Sequence, residues 1–178
     1  MQGLTTYGLR GQEIREQRPK IGMGKWAVLG AVAASRVLAV AGATQANAQD
    51  GGAWIAASTN ATSITNNIAI SKDRLSIDYL TFPLAPIRTL KPVEVSAVFD
   101  ADVNAGISGM LYRLRVPAGQ RFLHKGTLCG DQDTQWMATY VTGHTLKVAF
   151  FSGDDMPVFT FDAISNSTAL CGTFAYAR

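Results

Sequence analysis

The chain has 178 residues, enough for one domain or for one domain behind a leader that is removed. Its residues are 47% hydrophobic and only 16% charged, and this composition excludes a disordered chain. The formal net charge is +3, but six of the sixteen basic residues and only two of the thirteen acidic residues precede Gln49. From Gln49 onward ten basic residues are balanced by eleven acidic ones, so no basic excess remains to indicate a nucleic-acid partner.

Residues 1–48 have the order of a secretory signal. Lys25 precedes an apolar run over 26–42, and the small residues at 46–48 follow it, as cleavage by a signal peptidase requires. We therefore expect 1–48 to be a signal or leader segment that is cleaved before Gln49. The mature protein should then be periplasmic or secreted.

A retained membrane anchor is the alternative for this segment. Arg36 divides the apolar run into pieces of about ten residues or fewer, well below the ~20 that span a bilayer. We therefore expect no membrane span in the mature protein. The stretch before the apolar run is long and highly charged, and a true translation start at Met23 would give a leader of ordinary length.

The first part of the mature chain is turn-prone. Small and polar residues predominate over 49–66, where we expect a flexible N-terminal arm, with a strand start at Trp54 and Ile55 as the alternative. Further along, Pro83, Pro86 and Pro92 predict an extended connection over 83–92, because proline cannot donate to a central sheet ladder.

Strand signals dominate the all-β domain that we predict over 67–178. Apolar and polar residues alternate with a period of two, which is typical of half-buried strands. The predicted strands are 68–70, 75–79, 93–99, 112–116, 122–128, 136–141, 146–151, 158–161 and 170–176. About eight to ten short strands at spacings of about 8–12 residues predict an antiparallel β-barrel or sandwich.

The two cysteines, Cys129 and Cys171, both follow the leader. An even number of cysteines in an exported chain predicts a disulfide, since such compartments are oxidising. Closing a loop of about 43 residues removes roughly 4 kcal/mol of denatured-state entropy. A bond from the last strand to an interior one also favours a closed barrel over an open sandwich.

Asp100, Asp102 and Asn104 place three oxygen donors at alternate positions, as calcium-binding loops do. However, Ala105 and Leu111 stand where such a loop needs a glycine and a bidentate glutamate. Aspartate and asparagine also bond their own backbone in ordinary turns. The segment is thus a weak candidate for a metal site beside the simpler interpretation as a strand connection.

The densest basic stretch of the mature chain is a candidate site for a protein partner or an anion. It contains Arg113, Arg115, Arg121 and Lys125. Arg113 and Arg115 share one face of their strand, where guanidinium groups could bind carboxylate or phosphate. The alternative is a solvated outer face, balanced by nearby acids. Those acids are Asp131, Asp133, Asp154 and Asp155.

The remaining chemistry-bearing residues do not form a catalytic pattern. His124 and His144 are the only histidines, and no nucleophile motif accompanies them, so we predict no catalytic residues and no cofactor. The aromatic residues supply a core, or line a cavity if the barrel is hollow. They are Trp54, Trp136, Tyr140, Phe150, Phe151, Phe159, Phe161, Phe174 and Tyr176.

One short stretch resembles a known family. Residues 108–112 and 124–126 are similar to the Ser-Gly-x-x-Tyr and Lys-Gly elements of the periplasmic c-type lysozyme inhibitors. Those proteins are small exported β-barrels with a disulfide. The resemblance implies that Ser108 and Lys125 would enter the lysozyme cleft, with Tyr112 as part of the first element. We keep it as an alternative.

Two function classes follow. The first is an exported, non-enzymatic binding or interaction module, holding a small apolar ligand inside the barrel or an unknown protein partner at its rim. The second is an inhibitor of a secreted hydrolase such as c-type lysozyme. An enzyme is the third and least favoured class, because no catalytic signature is present.

Overall fold

The computed structural model of the protein describes residues 49–105, 109–122 and 125–178. The predicted leader over 1–48, with its cleavage site and the alternative start at Met23, lies outside the described residues. Ser108 and His124 also lie outside them.

The described residues form eight antiparallel strands in one closed barrel, which confirms the predicted all-β class and selects the barrel over the sandwich. Each strand pairs with its neighbour in the chain, and β8 pairs with β1 to close the ring. The strands are β1 Gly52–Ala56, β2 Ile68–Ile70, β3 Arg74–Ile77, β4 Leu80–Leu90, β5 Gly109–Val116, β6 Thr134–Thr142, β7 Thr145–Ser152 and β8 Leu170–Ala177.

This up-and-down order sorts the connections to two ends of the barrel, because successive strands run in opposite directions. We call the end that carries the connections 57–67, 78–79, 117–133 and 153–169 the disulfide end. We call the other the terminal end, since residues 49–51 and Arg178 lie there. A helical turn, Ala61–Thr65, belongs to the disulfide end.

Side chains fill the interior of the barrel. Trp54, Leu75, Met137, Phe150 and Tyr176 are each at most 1% exposed, and they belong to one cluster of buried side chains. The predicted aromatic core is confirmed for every member except Phe161. The packing favours an interior occupied by the protein itself over one that holds an apolar ligand.

A second core lies on the outer face of β5–β7. There the helix α1, Pro92–Phe99, packs Val95, Val98 and Phe99 against outward-facing residues of these strands. The outward-facing residues include Leu111, Ala138, Ala149 and Phe151, all fully buried. Because β6 and β7 are covered on both faces, they are nearly continuously buried, with apolar residues on both faces.

The strand predicted over 93–99 is wrong, because these residues form α1. Pro92 occupies the first helical position, where its missing N–H costs nothing. The Glu94 carboxylate accepts from the Lys91 backbone N–H at 2.8 Å and pairs with both terminal nitrogens of Arg88 at 2.8 Å. The hydrogen bonds from Arg88 hold the pKa of Glu94 below its usual range. Capping and burial thus outweigh the strand preference of the valines.

The extended connection predicted over 83–92 is also wrong. Most of it belongs to β4, whose eleven residues pair first with β3 and then with β5. Pro83 lies opposite Arg74, near the point where β4 changes partner, and the register shifts between Pro86 and Arg88. A bulge of this kind tolerates a proline because the ladder is already interrupted there.

Three further segments differ from their predicted structure. Of the strand predicted over 122–128, the described residues 122 and 125–128 belong to the β5–β6 connection, and 158–160 lead into the short helix α2, Phe161–Ser165. The Thr160 hydroxyl caps α2 by accepting from the Ala163 N–H at 3.3 Å. In addition, β1 lies within the stretch where we expected a flexible arm, and it carries the fully buried Trp54.

Candidate functional site

The disulfide between Cys129 and Cys171 is confirmed. Cys129 lies in the β5–β6 connection and Cys171 is the second residue of β8, and their Cα atoms are 4.9 Å apart. The bond therefore joins a long connection at the disulfide end to the strand that closes the barrel. Such a bond is compatible with an oxidising, extracytoplasmic compartment.

Arg113 and Arg115 lie on the outer face of β5, as their spacing predicts, but acidic and polar side chains surround them. Arg113 donates to the Gln135 side chain and to the Asp154 carbonyl and carboxylate oxygens, at 3.0 and 3.2 Å for Asp154. Its guanidinium lies 4.5 Å above the Trp136 ring. Arg115 donates from Nε to Asp133 at 3.1 Å. This arrangement favours the balanced outer face over an anion-binding one.

Arg121 and Lys125 lie apart from that face, in the β5–β6 connection at the disulfide end. Arg121 donates to the Lys125 carbonyl oxygen at 2.9 Å, and Lys125 has a positive φ of 61°. The guanidinium of Arg121 thus stabilises a turn of its own connection. The four basic residues of the candidate set do not converge on one anion site.

The residues that carry the resemblance to lysozyme inhibitors lie far from one another. Tyr112 points into the barrel and is 2% exposed, so it presents no surface to a partner. Gly109, which follows Ser108 in sequence, starts β5 at the terminal end, whereas Lys125 follows the opposite end of that strand. An eight-residue strand spans about 26 Å. The geometry therefore does not favour the inhibitor alternative.

The segment with Asp100, Asp102 and Asn104 is arranged as a turn. Asp100 ends α1 in the left-handed conformation, with a φ of 52°. The Asp102 carboxylate accepts from the backbone N–H and the side-chain amide of Asn104, at 2.9 and 3.2 Å. These bonds are those of an ordinary turn, and they favour that interpretation over calcium. Among the described residues, no three histidine, cysteine or acidic side chains group as metal ligands would.

A buried polar cluster at the terminal end was missed by the sequence analysis. Asp50, only 3% exposed, accepts on Oδ2 from the Tyr112 hydroxyl at 2.8 Å and from the Thr139 hydroxyl at 2.6 Å. Its carbonyl oxygen accepts from the Trp54 indole at 2.9 Å. Burial, the charge of Asp50 and the hydrogen bond to it all raise the pKa of Tyr112 above its ordinary value. Only the presence of an aspartate directly before an apolar strand could have indicated this cluster.

The outer surface beside α1 carries exposed apolar side chains. Val93, Val158 and Phe161 are 60%, 64% and 72% exposed. The prediction that Phe161 belongs to the core is wrong. Phe161 begins α2 instead of ending a strand, so it does not share the buried face of Phe159.

Two grooves adjoin Phe161, and α1 lies on both. One is lined by Val93, Ala97 and Phe159, and the other by Val98, Phe99 and Phe174. Lys147 lines the second groove and donates from Nζ to the Phe99 carbonyl oxygen at 3.1 Å. We call this area, with Val93, Val158 and Phe161 at its surface, the α1 patch.

Comparisons with family models, with curated proteins and with solved structures find no match to this chain. Within the residues that the structure describes, no helix is long and apolar enough to cross a membrane.

Proposed function

We propose that the chain is an exported, non-enzymatic interaction module that binds a protein partner through the α1 patch. The observation that carries the proposal is the exposure of Val93 and Phe161, which line the same groove, together with that of Val158, three residues before Phe161. Exposed apolar side chains grouped in this way are typical of protein-binding surfaces. Isolated exposed residues such as Tyr79, at the tip of the β3–β4 hairpin, need no such explanation.

The shape of the α1 patch supports a protein rather than a small molecule. Phe161 projects between two shallow grooves, so that a partner would contact it from both sides. Aromatic residues surrounded by less exposed neighbours often carry most of the binding energy of an interface. The interior offers no comparable site, because its large side chains are packed against one another.

Export supports the same proposal. The signal-like order of residues 25–48 and the disulfide both fit a protein that works outside the cytoplasm. In such a compartment a stable barrel with a cross-linked end can present a rigid surface to its partner. We therefore propose that the protein is periplasmic or secreted.

Site-specific photo-crosslinking in the exporting cell tests the proposal. Phe161 is replaced by the photoreactive p-benzoyl-phenylalanine, and so, in a second strain, is Tyr79, which is 97% exposed but lies on another connection. We expect one adduct of defined mass from position 161 and none of that mass from position 79. Absence of an adduct at 161, or equal adducts at both positions, would refute the proposal.

A matched pair of substitutions separates binding from folding. With the crosslinker moved to Val158, Phe161→Ser should abolish the adduct, whereas Tyr79→Ser should leave it unchanged. Both replaced rings are exposed, so both variants should melt within a few degrees of the wild type. An adduct that contains two copies of this chain would identify the partner as the protein itself.

A further inference from the structure

We propose that the buried carboxylate of Asp50 binds one small monovalent cation at the terminal end of the barrel. Asp50 is 3% exposed, and its Oδ2 atom already accepts two hydrogen bonds. Its Oδ1 atom is buried without a hydrogen-bond partner in the described part of the chain. A buried polar atom of this kind normally has a partner, so the orphaned oxygen points to a ligand.

A small cavity lies beside this carboxylate. Its volume is about 10 Å³, which is room for about one particle the size of a water molecule. The lining is formed by Gln49, Asp50, Gly109, Met110, Thr139, Tyr140 and Val141. A Cβ atom at Gly109 would come within 2.3 Å of the Thr139 carbonyl oxygen, so no side chain fits at that position. Strands β5 and β6 thus approach closely at the cavity wall.

The charge of the site favours a cation over a neutral water. No lysine, arginine or histidine among the described residues forms an ion pair with Asp50, and the Arg178 guanidinium donates to the carbonyl oxygens of the flanking Gln49 and Gly51 rather than to the carboxylate. Burying a carboxylate without a positive partner is unfavourable, and a water supplies a hydrogen bond but no charge. A divalent cation would carry one positive charge more than this single carboxylate balances, and the cavity has room for about one particle of the size of water. A single positive charge of about the size of water meets both requirements.

Two groups could supply this single positive charge. One is a sodium or potassium ion from solution. The other is the α-ammonium group of Gln49, which would form if the leader is cleaved after Ala48, since Gln49 itself lines the cavity. The proposal is independent of the α1 patch, so the failure of either leaves the other standing.

Melting temperatures in three salts test for the free ion. The full chain is melted in sodium chloride, potassium chloride and N-methyl-D-glucamine chloride at the same ionic strength. In the full chain Gln49 is held in a peptide bond, so its amino group cannot occupy the cavity. We expect sodium or potassium to raise the melting temperature by about 3 °C or more over the large organic cation. Asp50→Asn should remove the difference, and the control Asp133→Asn, at an outer-face carboxylate, should keep it.

The processed chain tests for the ammonium group. If the full chain does not respond to sodium or potassium, a chain that begins at Gln49 should melt higher than one that begins at Ala48. Mass spectrometry confirms that Gln49 keeps its free amine, and Asp50→Asn should abolish this difference too. The proposal is overturned if neither comparison shows a difference, or if Asp50→Asn preserves it. Should Asp50→Asn fail to fold, an anomalous peak beside Oδ1 in crystals grown in rubidium chloride locates the ion instead.

Discussion

The two ends of the barrel are closed by different chemistry. At the disulfide end, Cys129–Cys171 joins the β5–β6 connection to β8, and the buried hydroxyls of Thr65 and Tyr176 lie 2.7 Å apart. The terminal end has no covalent cross-link in the part of the chain that the structure describes. There the chain beside Asp50 is held by Arg178, which donates to the carbonyl oxygens of Gln49 and Gly51 at 3.2 and 3.0 Å.

The two ends should therefore contribute differently to the free energy of unfolding and to its dependence on solution conditions. A disulfide acts by constraining the unfolded chain, and its contribution depends little on salt or pH in the neutral range. The terminal end instead holds the buried carboxylate of Asp50, and a cation that balances its charge would make the stability there depend on salt. We therefore expect the disulfide end to set most of the stability and the terminal end to tune it.

Removing the disulfide should have the largest effect on the free energy of unfolding. The double substitution Cys129→Ser with Cys171→Ser releases a loop with a sequence separation of 42. The chain-entropy model gives a loss of about 4 kcal/mol in the free energy of unfolding, measured by urea titration. Reduction of the wild type should give the same loss. A loss below about 1 kcal/mol would show that the bond adds little to this end.

Alkaline pH should lower the stability through the two buried tyrosines, Tyr112 beside Asp50 and Tyr176 beside Thr65. Burial raises the pKa of Tyr112 and of Tyr176, and in Tyr176 the hydrogen bond with Thr65 opposes part of that rise. Above the ordinary tyrosine pKa of about 10, the unfolded chain releases protons that the folded chain retains. Stability is therefore complete below about pH 10 and decreases above it, by about 1.4 kcal/mol per pH unit for each tyrosine.

Substitutions of the tyrosines test which of them causes the loss of stability at alkaline pH. Tyr112→Phe and Tyr176→Phe should each remove about half of the slope between pH 10 and pH 11, measured by urea unfolding. Tyr79→Phe is the matched control, because Tyr79 is 97% exposed and should leave the slope unchanged. An unaltered slope in both buried variants would contradict the account.

Removing the contacts of Arg178 at the terminal end should have the smallest effect on the free energy of unfolding. Arg178→Met removes two hydrogen bonds and the contact of the guanidinium with the Trp54 ring, 4.2 Å away, while it keeps an apolar stem. We expect a loss of about 1 kcal/mol in the free energy of unfolding. Arg115→Met, which breaks one exposed ion pair with Asp133, should cost less than about 0.5 kcal/mol. Equal losses in the two variants would contradict a specific role for Arg178.

Local patterns predicted the strands where one face is buried or a hairpin is short. The hairpin of β6 and β7, the small β2 and β3, and β8 all lie where alternation and turn residues place them. The predictions failed for α1 and β4, where contacts distant in sequence or across the sheet determine the structure. Glu94 needs Arg88 and the backbone of Lys91 to cap α1, and β4 needs two different partners to accommodate its prolines.

The candidate site residues also depend on contacts that are distant in sequence. Tyr112 and the basic residues of 113–125 were selected from the sequence, but their environments depend on strands far along the chain. Tyr112 bonds Asp50, 62 residues earlier, and Arg113 bonds Asp154, 41 residues later. No local pattern carries such pairings, so the chemistry at each position could not be predicted from its neighbours.

The sequence by itself determined the all-β class and the pairing of Cys129 with Cys171. A period of two indicates which face of a strand is buried, and two cysteines in one chain can pair only with each other. Only the tertiary structure decided that β8 closes on β1, that Asp50 lies inside the barrel and that Phe161 lies outside it. These depend on strand register and on the packing of α1 against the outer face, which arise from contacts between distant residues and leave no period in the sequence.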